Sequence, residues 1–159
     1  LYISQTGSFL DELEGHVDPC PLDDSACTGI TASSELPTHL AIVRGSSRRA
    51  ILHGHPRFAV IRSLFCQEEP TCPGRDRCHL TCDRERRAGG ALIVPGETGS
   101  GPRSIARTVP EVLAHEPAAV VYGHGVFAAD DTDFRAPLRT LIQIERACRD
   151  QVLAHLGES

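Results

Sequence analysis

Apolar and polar positions along the chain fall into short blocks punctuated by glycine, proline and acidic turns. "LYIS" at the start reads as a short strand, followed by turn-rich acidic loop to residue 32. "ASSELPTHLAIVRG" predicts a helix: Ser33 or Ser34 can cap it, Pro37 fits the first turn, and Leu40 to Val43 lead to a C-terminal Gly45. "RAILH" predicts a buried strand. "PRFAVIRSLF" predicts a helix opened by Pro56, with Phe58, Ile61 and Phe65 on one face. Residues 66–90 break the pattern with cysteine, arginine and glycine. "ALIVP" predicts another strand and "GETGSGPRS" a glycine-rich loop. Thr108 and Glu111 have capping-box spacing, with Pro110 in the first turn, which predicts a helix through "PEVLAH". "AAVVYGHG" predicts the last strand. A final helix starts near Asp131 or Thr132 and carries Phe134, Leu138, Leu141, Cys148 and Val152 along one stripe. Strands alternating with helices imply a layered α/β domain.

The length of 159 residues makes a single domain with a proper core the default expectation. The net charge of −5 supplies no basic field for nucleic acid. No run approaches the ~20 apolar residues of a membrane span, and the opening "LYISQTG" lacks the segments of a signal peptide. A cytoplasmic location is the expectation. Methionine is absent, so residue 1 is expected to begin a piece, a processed product or a domain cut from something longer. Lysine is absent too, and all 16 basic residues are arginine. Schiff-base carbonyl chemistry needs a lysine amine. Carbanion chemistry in this chain must therefore use a metal.

"ILHGHPRFAV" holds the candidate ligands. Residues i and i+2 of a strand face the same side, so His53 and His55 aim into one space, and Gly54 between them adds no bulk. His124 in "YGHG" is a third histidine at a strand end, again beside glycine. Three histidines with a fourth position open is the donor pattern of a catalytic zinc; three histidines satisfied separately by hydrogen bonds is the alternative. Glu35, at the head of the helix that precedes the His53 strand, can ligate the metal or act as a base beside it. A helix N-terminus and a divalent cation would both hold it ionised.

Four blocks in order then resemble the class II aldolase/adducin-head family, which includes fuculose-phosphate and rhamnulose-phosphate aldolases. They are "YISQTG", "ASSE" with the following His39, "LHGHPRFA" and "YGHGVFA". The resemblance implies a three-layer α/β/α domain with a mixed central sheet. It implies phosphate contacts from Thr6, Gly7, Ser33 and Ser34, an acid/base at Glu35, and zinc or another divalent metal on His53, His55 and His124. The implied function is retro-aldol cleavage of a small phosphorylated sugar through a metal-stabilised enediolate. Decarboxylase or other enolate chemistry on the same scaffold is the alternative, and a non-catalytic adducin-like interaction head is another. Family members also carry an N-terminal helix and a Gly-Asn loop, and this chain begins after where they would lie. No tyrosine stands in a block that would protonate the aldehyde half, since Tyr2 and Tyr122 fall elsewhere. The resemblance further implies a homo-oligomer, commonly a tetramer, with no nucleic-acid or membrane partner.

Residues 66–90 match no family block and read as an insertion. Cys66, Cys72, Cys78 and Cys82, with His79 among them, have the spacing C-x5-C-x5-C-x3-C. Four thiolates can close a second, structural zinc site or hold an iron–sulfur cluster. Free thiols or disulfides are the plain alternatives. Cys20 and Cys27 flank an acidic turn and form a further candidate pair. The arginines of this segment (Arg75, Arg77, Arg84, Arg86 and Arg87) read as a solvated loop.

Overall fold

The computed structural model describes residues 1–9, 11–23, 31–66, 72, 74, 77, 82, 84–97 and 101–157. Its centre is a five-stranded mixed sheet in the order β3-β7-β6-β5-β4. These strands are β3 (Ala50–Gly54), β4 (Arg87–Ala88), β5 (Ala91–Val94), β6 (Ala118–Val121) and β7 (Gly125–Asp130). Only β5 and β6 run parallel; the other pairs are antiparallel. A separate ribbon pairs β1 (Tyr2–Ser4) with β2 (Val17–Pro19).

Helices cover both faces. On one face α1 (Leu36–Gly45) and α3 (Ile105–Leu113) enclose a core of Ile42, Ile51, Val109, Leu113, Val121 and Phe127. On the other, α2 (Arg57–Leu64) and α4 (Arg135–Gly157) pack over Ala59, Ile93, Val120, Val126, Ile144 and Cys148. Alternate residues of β6 and β7 belong to opposite cores, which is why both strands read as unbroken apolar runs. The three-layer α/β/α arrangement with a mixed sheet expected from the sequence is the one observed. No helix among the described residues is long and apolar enough to cross a membrane.

Several local expectations are corrected. The run "AAVVYGHG" is not one last strand: β6 stops at Val121, and Gly123 adopts a left-handed φ of +63°, so the chain reverses into β7. The acidic stretch expected as loop contains β2. Glu35, rather than Ser33 or Ser34, holds the N-cap position of α1. Helix α3 begins at Ile105, and Pro110 lies inside it. Proline removes one helical donor, but Ile105, Val109 and Leu113 bury a continuous face that outweighs the lost bond.

Burial also differs from the expected stripes. In α2 the buried positions are Ala59 and Ser63, not Phe58, Ile61 and Phe65. Small residues bring this helix close to the sheet and to α4. In α4 the buried line is Pro137, Ile144, Cys148 and Val152, whereas Phe134 and Leu138 are 57% and 51% exposed. The helix starts three or four residues later than expected, after Asp130 accepts bonds from the Thr132 N–H and hydroxyl in the preceding turn.

Ile42 is fully buried between α1 and the sheet. Ile42→Ala should lower the unfolding free energy by roughly 2–5 kcal/mol through lost transfer energy and the cavity left behind. Urea denaturation checks this, with the midpoint falling and the slope unchanged.

Candidate metal centre

The site forms where β3 and β7 lie side by side. Their antiparallel register places His53 opposite Phe127 and ends at Gly54 opposite Val126. His55 follows one residue beyond, and His124 closes the β6–β7 turn just before β7. Gly125 makes this proximity feasible. A Cβ there would lie 2.5 Å from the Gly54 carbonyl oxygen and 2.8 Å from the His55 ring.

His53 is oriented by two contacts. Its ring stacks on Phe127 with centroids 4.0 Å apart. Its Nδ1 lies 3.1 Å from the Val126 carbonyl oxygen, which can only accept, so Nδ1 carries the proton and Nε2 presents a lone pair. That Nε2 is 3.3 Å from Nε2 of His124, which is 3.4 Å from Nε2 of His55. One ring nitrogen from each histidine lies within 4.8 Å of the others.

A single proton on His124 satisfies one of these nitrogen–nitrogen contacts with good geometry and leaves the other opposed. A shared cation satisfies all three. Two ligands on a tetrahedral zinc, at bond lengths of about 2.0–2.1 Å, stand about 3.3–3.4 Å apart. Both Nε2 distances to His124 match that edge. The widest separation in the cluster, up to 4.8 Å, is longer, so the donor set fits a divalent ion of this type with the rings closing by a fraction of an ångström to about 1 Å around it.

Burial favours the neutral form of His53 and His55, the form that binds metals. It pushes His53 down to about 3, against the opposing effect of the Val126 bond, and His55 and His124 beside it act in the same direction as burial. His55 is also lowered, first by burial and then by His124, while Glu35 opposes the shift. His39, packed 5.7 Å from the Phe127 ring, is pushed by burial to about 4.

Glu35 arrives from the other side. Its Oε1 is 3.8 Å from His124 Nε2, and the two side chains are 14% and 31% exposed. The Glu35 N–H donates to Ser33 Oγ at 3.2 Å. His55 is exposed, so the cluster opens to solvent on that side.

A profile described as "Class II Aldolase and Adducin N-terminal domain" matches residues 1–152. The chain belongs to this family. Among solved structures it resembles l-fuculose-1-phosphate aldolase from Thermus thermophilus, at 22% identity and a TM-score of 0.68. That match covers 99% of this chain and 78% of the other. It also resembles YgbL from Escherichia coli, a candidate aldolase/epimerase/decarboxylase, at 20% identity and a TM-score of 0.63, covering 92% and 69% of the two chains. At these identities the likeness is one of fold. No curated protein matches by sequence.

In this class II aldolase-family chain the other expected site residues lie as follows. The Thr6–Gly7 turn sits beside residues 31–33: Thr6 N–H donates to the Thr31 carbonyl at 2.7 Å and its hydroxyl to the Ala32 carbonyl at 2.8 Å. Ser33 N–H donates to the Ser4 carbonyl at 3.0 Å. One continuous path thus runs from Thr6 and Gly7 through Ser33 and Ser34 to Glu35 and the histidines. Both Thr6 donors are engaged, which leaves the Ser33 and Ser34 hydroxyls as the better placed anion donors. Cys66, Cys72 and Cys82 are half-buried thiols outside any disulfide. Among the described residues the three histidines form the one ligand cluster. Cys78, His79 and Cys27 lie outside the described residues. Gly125 stands beside His124 as the sequence pattern indicated, whereas Val126 and Phe127 carried no individual role there, because the strand that holds them has no separate sequence signal.

Neutral burial of His39 and His53 has a pH consequence in the metal-free chain. Unfolded histidine titrates near 6.5, so the unfolded state takes up these protons first as pH falls. The stability is complete above about pH 6.5 and drains away toward about 4 for His39 and about 3 for His53. With chelator present, the urea midpoint should fall as pH is lowered from about 7 to about 4, and His39→Leu should make that fall shallower. An unchanged pH slope in the variant would contradict the assignment.

Proposed function

We propose that this chain is a metal-dependent lyase that cleaves a carbon–carbon bond of a small phosphorylated sugar or related hydroxy-carbonyl compound by the retro-aldol route. The observation that carries the reading is the convergence of three imidazole nitrogens beside a shielded carboxylate. His53, His55 and His124 would hold the ion, zinc or a similar divalent cation by donor type. Bound there, it supplies Lewis acidity toward the substrate's oxygens.

The remaining work falls to side chains of this chain. Glu35 takes or returns a proton on the fragment next to the carbonyl, close enough to the histidines to act on the same substrate. The Ser33 hydroxyl accepts the Glu35 N–H and, with the Ser34 hydroxyl and the Gly7 backbone of the neighbouring turn, would offer donors to a phosphate, while Thr6 holds that turn against residues 31 and 32. We propose a homo-oligomer, a tetramer as its implied form, and an insertion over residues 66–90 whose four cysteines hold a second zinc or an iron–sulfur cluster.

Decarboxylation is the second reading, favoured by where the tyrosines lie. Tyr2 is 78% exposed on β1, and Tyr122 sits beneath the Arg86 guanidinium at 5.2 Å. Neither matches a group that takes the proton from the aldehyde-side hydroxyl, a transfer that retro-aldol cleavage requires and decarboxylation does not. A non-catalytic adducin-like head gains nothing from three imidazoles converging on one point.

Metal analysis should find one divalent ion per chain, beyond any metal held by the cysteines, that is lost in His124→Ala. Glu35→Gln should keep that ion and lower turnover roughly 10²–10⁴-fold, the usual worth of general acid–base catalysis. An unchanged metal content per chain in His124→Ala would remove the ligand assignment, and near-normal turnover in Glu35→Gln would remove the acid/base role. Light scattering should report an oligomer; a monodisperse monomer would contradict the assembly.

A further inference from the structure

A second set of contacts, outside the histidine cluster, converges on α2. This helix opens at Pro56, which offers no side-chain acceptor to the N–H groups of the first turn. Glu145 supplies one from α4. One carboxylate oxygen accepts the Phe58 N–H at 3.1 Å and the other accepts the Ala59 N–H at 2.9 Å. These are the second and third helical positions, the donors that a Ser or Asp cap would take. A carboxylate there also meets the positive end of the helix dipole.

The other end of α2 is tied as well. Ser63 is fully buried, donates its hydroxyl to the Val60 carbonyl at 2.7 Å, and accepts the Gly123 N–H at 2.8 Å. Pro56 directly follows His55, and Gly123 directly precedes His124. Both ligands lie beyond the last β3–β7 ladder pair, Gly54 opposite Val126. His53 lies within that ladder and has its own bond to Val126. Helix α2 therefore continues directly from the His55 loop and adds a second hold on the His124 turn through Gly123, beside that turn's own His124 N–H bond to the Val121 carbonyl at 3.1 Å and the Val121–Gly125 pair.

We infer that Glu145 and Ser63 are positioning residues of the histidine centre, acting through α2. The helix sets the His55 loop and the His124 turn on one rigid element, with Glu145 fixing its start and Ser63 its grip on the turn. The inference rests on the metal-centre reading given above.

The test is Co²⁺ affinity in the full chain, followed through the paramagnetically shifted imidazole N–H resonances. These report histidine coordination whatever the cysteines do. Measurements are made where the far-UV circular dichroism of each variant matches the wild type. Glu145→Ala and Ser63→Ala should each weaken binding about 10-fold, the lower end of the effect of outer-shell partners of metal ligands. The His55 and His124 signals should move while the His53 signal stays. Glu145→Gln, which keeps one acceptor oxygen, should fall between and serves if the alanine variant does not fold. Giving α2 a cap of its own, by Pro56→Ser in the Glu145→Ala background, should restore affinity toward that of Pro56→Ser alone, which a role confined to α4 packing would not do. Wild-type affinity in the folded Glu145 variants, or no recovery in the double variant, would overturn the inference alone. A wild-type chain that binds no Co²⁺ would overturn the metal-centre reading and this inference with it.

Discussion

The end of β3 and the start of β7 approach more closely than two side chains permit, and Gly125 is what allows it. Its missing Cβ is replaced by the Gly54 carbonyl and the edges of two imidazole rings. The ladder pairs from Ala50–Asp130 to Gly54–Val126 then fix the strands in register, so His53 and His124 meet because the sheet has no other way to pair. A one-residue slip would turn His53 away from Phe127 toward the opposite core. The site is thus a by-product of sheet register, finished by the loops at its edge.

Electrostatics follows from the same geometry. Packing His53 against Phe127 removes water from one face of the ring and holds it neutral, while the Val126 carbonyl selects the tautomer. Glu35 brings the one negative charge facing the cluster among the described residues, so a cation placed among the nitrogens would be partly balanced by it. The two helices nearest the cluster serve different ends: α1 delivers Glu35 at its N-cap, and α2 joins the two ligand loops. Both start without a side-chain cap of their own.

Much of the site was legible in the sequence, for a physical reason. A strand has a period of two, so His53 and His55 announce a shared face without any tertiary information. The ordered blocks around Ser33–Glu35 and His124 carried the family resemblance, and with it the three-layer fold. What was hidden depends on tertiary packing. The turn Tyr122-Gly123-His124 read as the end of the strand before it, so the apolar residues of β7 were given no element of their own. Pro110 read as a helix start because its cost is visible in sequence, while the buried line of Ile105, Val109 and Leu113 that offsets it is not. Phe134 and Leu138 looked like core and are exposed, because α4 lies on the sheet through its smaller side. Glu145 carries no sequence signal at all: its partners are backbone N–H groups on another helix.

The central claim is that one ion belongs at the point where His53, His55 and His124 converge. An anomalous difference map from a crystal of zinc-loaded protein, recorded at the zinc edge, tests it directly. The account predicts a peak at about 2.0–2.1 Å from Nε2 of all three histidines. A crystal that takes up zinc but shows no peak among these nitrogens would contradict it.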